Sequence, residues 1–271
     1  HQESIPERSV VVTIDDGYLS NFTLAFPILK EYAIPATIFI ATDFVDKKEF
    51  LWIDRVEYAL RMTQKQNLRL MVDNEERQYP LVDISQKKAA DEDIKAGLKR
   101  LSLQKRNVIC EKIEHQLEIK LTIQSEHIEM YAPLEWPQIS EMIHSGLITI
   151  GSHGSSHTIA TSFAENDFRA DLQKSRERIK AMTRTRCELF SYPNGGAGDF
   201  NHWTKKIVLE QGFECALTTM IGTNHPMSDV YELRRLNIHN EGDLAGFIRT
   251  LSSAWRFIRK LKHASLPGNQ S

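Results

Sequence analysis

Two short runs in this chain hold residue types suited to hydrolytic chemistry. Asp15 and Asp16 stand side by side where the apolar run Val10–Ile14 ends, with Gly17 directly behind them. His153 and His157 stand four residues apart in Gly151-Ser152-His153-Gly154-Ser155-Ser156-His157, just after a second apolar run, Leu147–Ile150. On one helical turn or in a tight loop, that spacing turns both imidazoles toward one point. Asp16 would add a hard oxygen, giving the two-nitrogen, one-oxygen set found at catalytic Zn²⁺ sites with positions left for water and substrate. A metal held there polarises a carbonyl and lowers the pKa of bound water. Asp15, adjacent to a ligand but itself free, suits a general base. The chemistry implied is hydrolysis of an amide or an ester. The plain alternatives are an Asp-Gly turn with two solvated acids and a pair of structural histidines.

These residues need a frame that brings distant runs together. Val10–Ile14 and Ala36–Ala41 read as buried strands, with a helix from near Ser20 to Tyr32, disturbed at Pro27, between them. Strand, helix and strand at this spacing make a βαβ unit and therefore a parallel sheet, whose chemistry gathers at the carboxyl ends of its strands. Further strands are expected at Leu147–Ile150, Glu188–Tyr192, Cys215–Thr219 and Leu233–His239. Helices are expected at 165–182, before Gln211-Gly212 and at Ala245–Lys262. Between about residue 46 and residue 130 the character changes. A helix over Leu51–Gln66, a hairpin of Leu68–Val72 with Arg77–Leu81, and charged helices at Gln86–Leu101 and Leu103–Leu117 suggest a mostly helical insertion. The outer charges of those helices read as solvated faces.

With 271 residues, 41% hydrophobic content and 26% charged content, the chain has the makeup of one large α/β domain, residues 1–271, carrying that insertion. A net charge of −2 argues against a nucleic-acid surface. No apolar run approaches the ~18 residues of a membrane-spanning helix. Cys110, Cys187 and Cys215 are widely spaced and read as free thiols, not as a disulfide frame or thiolate site.

Thr13-Ile14-Asp15-Asp16-Gly17 resembles the first motif of the NodB-type polysaccharide deacetylases, carbohydrate esterase family 4, known from bacteria. His153-Gly154-Ser155-Ser156-His157 resembles their second motif, and Ser191-Tyr192-Pro193-Asn194-Gly195 their third, in the same order. The likeness covers residues 9–45 and 134–240, and a subgroup of these enzymes carries a comparable insertion after the second strand. It implies a distorted (β/α) barrel and a divalent metal, most often Zn²⁺, with Co²⁺ or Ni²⁺ as substitutes. It makes Asp16, His153 and His157 the ligands, Asp15 the base, and the Asn194 backbone N–H an oxyanion donor. His239, on the last short strand, is the match by order for the general acid. The substrate implied is an N-acetylated glycan, which would lose acetate.

Two positions depart from the family pattern. Gly154 replaces a small hydroxyl residue, and Ser191 replaces an arginine that orients the catalytic aspartate; Arg234 or Arg235 is expected to take over that support. Trp203 reads as core, with an acetyl pocket as the alternative, and His202 and His225 read as surface residues. A glycan-binding domain without activity, or a hydrolase of another acyl or amide substrate, stays open as a second reading. The chain starts at His1, so a removed leader or a further strand and helix is expected ahead of it. Its location is left between the bacterial cell envelope and the cytoplasm.

Overall fold

The computed structural model describes residues 9–72, 75–238 and 244–252. In chain order the elements are β1 (Val12–Ile14), α1 (Phe26–Glu31), β2 (Ala36–Ile40), α2 (Thr42–Lys47), α3 (Trp52–Met62), β3 (Asn67–Val72), β4 (Glu75–Pro80), α4 (Ile84–Leu98), α5 (Leu103–Gln116) and α6 (Ile128–Tyr131). They continue with α7 (Trp136–His144), β5 (Ile148–Ser152), α8 (Glu165–Thr183), β6 (Leu189–Ser191), α9 (His202–Glu210), β7 (Cys215–Ile221), β8 (Leu233–Arg235) and α10 (Leu244–Leu251).

Six strands form one sheet in the order β1-β2-β5-β6-β7-β8, all parallel. The sheet is curled into a half-barrel with helices packed against it. All five residues of β2 are buried, as an inner strand covered on both faces requires. Its register sets Ile14, Ile38 and Ile150 side by side. One apolar core joins these strands to Met142 on α7, Phe168, Leu172 and Ile179 on α8, and Ile207 on α9. With every strand running the same way, the ends that carry Asp15, His153 and Ser191 lie on one rim.

β1 is shorter than its sequence suggests. Val10 and Val11 are 72% and 75% exposed, and pairing starts only at Val12 opposite Ala36. β1 is an edge strand, and the residue that would face Val11 is Pro35, which has no N–H to offer a ladder. The helix after it is also modified: a π-helical turn at Asn21–Ala25 precedes α1, and Pro27 sits in the first turn of α1, where its missing N–H costs little. Of the expected last short strand, Leu233–His239, the structure describes residues 233–238 and shows β8 over Leu233–Arg235, and α2 and α6 appear as short helices that periodicity alone does not announce.

Residues 52–117 build a second core. Trp52, Val56 and Leu60 of α3 pack with Leu68, Leu70, Ile94, Leu98 and Ile113. Asp83 caps α4 by accepting from the Gln86 N–H at 2.8 Å, so the helix starts ahead of the expected Gln86. Arg106 is fully buried, lies 4.7 Å over the Trp52 ring, and donates to the Leu98 and Leu101 carbonyls at the C-terminal end of α4. Carbonyls left without helical partners there explain a cation inside an apolar core.

Ile38→Ala, at a fully buried position of β2, should lower unfolding free energy in urea by about 2–5 kcal/mol. Val11→Ala should stay within about 0.5 kcal/mol. A large loss at Val11 would show that β1 extends further than Val12.

Candidate metal centre

The end of β1 is a forced turn. Asp16 takes φ of 75° and Gly17 φ of 91°, and the Gly17 N–H bonds the Asp15 carbonyl at 3.0 Å. A Cβ on Gly17 would sit 2.9 Å from Ile40 Cγ2, so glycine is required for contact as well as for conformation. The turn is held from both sides: Ala41 N–H donates to the Asp16 carbonyl (3.1 Å), and Leu134 N–H donates to the Gly17 carbonyl (2.8 Å). Two consecutive strand residues would point apart. The left-handed step at Asp16 instead sends both carboxylates to the same rim.

The second run leaves β5 as a loop. The His153 N–H bonds the Ile40 carbonyl at 2.9 Å, and the His153 ring donates from Nδ1 to the Ser191 carbonyl at 2.7 Å. A carbonyl can only accept, which places the ring proton on Nδ1 and leaves Nε2 with its lone pair. His157, at φ of 52°, also directs Nε2 inward. Its own Nδ1 is buried, with no hydrogen-bond partner among the described residues. The two imidazoles are 2% and 3% exposed.

Both Nε2 atoms face one oxygen. Asp16 Oδ1 lies 3.2 Å from His153 Nε2 and 3.0 Å from His157 Nε2. The Nε2 lone pair of a neutral His153, directed at a carboxylate oxygen, is repelled unless a positive charge is shared between them. Asp16, His153 and His157 could hold a metal ion, with one ligand atom each and all within 4.8 Å of one another. Two nitrogens and one oxygen fit Zn²⁺ chemistry. Electrostatics follow the same geometry. With a proton as the shared charge, burial disfavours the charged Asp16, but Nε2–H bonds from protonated His153 and from His157 outweigh it and hold the carboxyl well below its usual range. Burial disfavours protonated His153, yet the Asp15 and Asp16 charges outweigh it and raise its pKa.

Asp15 stays clear of that trio and meets a guanidinium. Arg235 Nη1 donates to Asp15 Oδ1 at 2.8 Å, and Nη2 donates to Oδ2 at 2.6 Å. Ser191 Oγ adds a 3.3 Å bond to Oδ2 and accepts from Arg235 at 3.3 Å. Of the two arginines expected near Asp15, Arg235 makes this contact, while Arg234 is exposed beside Asn224. Asn194, at φ of 61°, has its carbonyl held by Thr219 Oγ1 at 2.5 Å, and no described residue accepts from its backbone N–H. Trp203 packs against the core, edge-on to Phe168. His202 and His225 are exposed, and His239 lies outside the described residues.

One contact was not foreseen. Tyr18 donates to Asp54 Oδ2 at 2.8 Å, tying α3 to the Asp15-Asp16-Gly17 turn. Asp54 is 6% exposed, and its carboxylate makes no ion pair among the described residues. The signal was a lone acid at the start of an apolar helix, Leu51-Trp52-Ile53-Asp54, which pattern reading assigns to the solvated face.

Comparison with known proteins agrees with this geometry. Residues 2–76 and 113–216 match the family model described as polysaccharide deacetylase. The chain belongs to the polysaccharide deacetylase family. Among solved structures it resembles the Streptococcus pyogenes deacetylase PplD in complex with acetate, at 15% identity and a TM-score of 0.56, over 92% of this chain and 73% of that one. It also resembles IcaB from Ammonifex degensii, at 19% identity and a TM-score of 0.54, over 93% and 74% of the two chains. At such identities the likeness is one of fold. YxkH of Bacillus subtilis, named for the same family, is 42% identical over 45 residues, a stretch spanning 17% of this chain and 16% of that protein.

Burial pushes the Asp54 carboxyl up to about 8, with the Tyr18 bond opposing the shift and the Asp16 charge adding to it. An unfolded aspartate titrates near 3.9, so between about pH 4 and pH 8 the folded state binds the extra proton. Stability from this group is therefore present at low pH and lost as pH rises toward 8. In metal-free protein, Asp54→Asn should lose less stability than wild type between pH 5 and pH 9, read from urea midpoints. Equal losses would contradict this assignment.

Proposed function

We propose that this chain is a metal-dependent hydrolase that removes N-acetyl groups from an amino-sugar-containing polysaccharide or oligosaccharide. The observation that carries the reading is one carboxylate oxygen facing two imidazole nitrogens, with a second, arginine-paired carboxylate beside them. Asp16, His153 and His157 would hold the ion, with Zn²⁺ favoured by the donor set and Co²⁺ or Ni²⁺ as alternatives. When bound, it supplies Lewis acidity toward the acetyl carbonyl and acidifies a water.

The chain's own groups do the rest. Asp15 takes the proton of the attacking water, and the two bonds from Arg235 fix the direction of its oxygens. The Asn194 N–H donates to the oxygen that gains charge as the carbonyl becomes tetrahedral. His239, four positions after Arg235, is assigned the general acid that protonates the departing amine. The reaction leaves acetate and a free amino sugar. The domain assignment follows the same reading: one deacetylase domain with an insertion at about residues 46–130. The insertion's second core is what supports it, and through Tyr18 and Asp54 it adjoins the site. The family match fits this too, since it leaves out residues 77–112. An inactive glycan-binding domain is the competing reading, and the joint presence of Asp15, Asp16, His153 and His157 argues against it.

Acetate release from a chito-oligosaccharide with added Zn²⁺ or Co²⁺, alongside metal content, tests the assignment. Asp15→Asn should keep the metal and lose roughly 10²–10⁴-fold in rate, whereas His153→Ala should lose both. Full activity in Asp15→Asn would rule out Asp15 as the base. Arg235→Lys keeps a charge but not the two-bond geometry, so it should lower the rate about tenfold or more while metal content stays at wild type.

A further inference from the structure

His153 and His157 are aimed by different means. The Ser191 carbonyl fixes the His153 ring through Nδ1, whereas among the described residues no hydrogen bond reaches Nδ1 of His157. The direction of the His157 ring therefore rests on the backbone that carries it, and that backbone is left-handed at both Gly154 (φ 77°) and His157 (φ 52°). A loop in this conformation needs partners for its N–H groups.

We propose that Asp171, on α8, is the positioning residue for His157. Its carboxylate accepts the Ser155 N–H on Oδ2 at 2.8 Å and the Ser156 N–H on Oδ1 at 2.9 Å. Each oxygen takes one of two consecutive backbone donors, a pattern that a carboxylate satisfies and an amide does not, since an amide offers one oxygen and one NH₂. The opposite side of the loop is tied to the end of β2. Thr42 N–H bonds the Gly154 carbonyl, Asp43 N–H bonds the Ser155 carbonyl, and Ser155 Oγ donates to Asp43 Oδ1, which Lys174 also reaches. Asp171 supplies the grip on the N–H side. It also explains Gly154, where a Cβ would lie 2.8 Å from Asp171 Oδ2. The carboxylate occupies the space that any larger residue at 154 would need.

This inference rests on the metal-site reading above, and Co²⁺ alone is the probe. In Asp171→Asn, one of the two bonds is replaced by an NH₂ facing an N–H. Co²⁺ affinity should fall about tenfold or more, the usual cost of losing a group that orients a ligand, with a changed visible spectrum. Gly154→Ala should do the same by displacing the carboxylate, and it serves should Asp171→Asn fail to fold. Gly146→Ala is the control: Gly146 has a similar φ of 73° but nothing within 4 Å of its Cβ position, so it should cost stability and leave Co²⁺ binding unchanged. Wild-type affinity and spectrum in folded Asp171→Asn would overturn this proposal alone. So would equal Co²⁺ affinities in the two alanine variants. A wild type that takes up no Co²⁺ would overturn the metal site with it.

Discussion

A bidentate ion pair joins the first strand of this sheet to the last. Arg235 at the end of β8 grips Asp15 at the end of β1, and it also reaches Thr13 at 3.4 Å. In strand order these are opposite edges of a six-stranded sheet, so their contact depends on the sheet's curl. Both partners are largely shielded from solvent, at 14% and 22% side-chain exposure. Removing one member of a fully buried pair costs about 3–5 kcal/mol, and this pair approaches that regime. The same bond thus closes the rim and holds the carboxylate that stands beside the Asp16, His153 and His157 cluster.

The site is assembled from strained strand ends. Asp16, His157 and Asn194 all lie in the left-handed region, which Asp, His and Asn tolerate better than most residues. Each has a glycine next to it or three residues before it. Such positions persist only where the surroundings determine them. Here backbone bonds from Ala41 and Leu134 fix the first, Thr219 fixes the third, and the loop around Asp171 fixes the second. Stability for this arrangement comes from the two apolar cores, neither of which includes Asp16, His153 or His157.

The parallel frame and the four central residues were legible because they ride on strong signals. These are apolar runs of strand length, a glycine behind paired acids, and histidines four apart. Residue types were also enough to anticipate an arginine near Asp15, though not to choose between Arg234 and Arg235; that depended on the curl of the sheet. What sequence could not show were contacts between segments far apart in the chain. Tyr18 with Asp54, Leu134 with Gly17, and Asp171 with Ser155 and Ser156 join residues 36, 117, 16 and 15 positions apart with no periodic pattern to mark them. The length of β1 was overestimated for a related reason. Apolar content says that a strand can form, whereas its neighbour's Pro35 decides where pairing begins.

Crystals grown with Zn²⁺ and measured at the zinc absorption edge would test the central claim most directly. The account predicts one anomalous peak bonded to Asp16 Oδ1 and to Nε2 of His153 and His157, at about 2.0–2.2 Å. Asp15 should remain on Arg235 and off the ion. A peak that included Asp15 in place of Asp16, or no peak at these residues in metal-saturated protein, would contradict it.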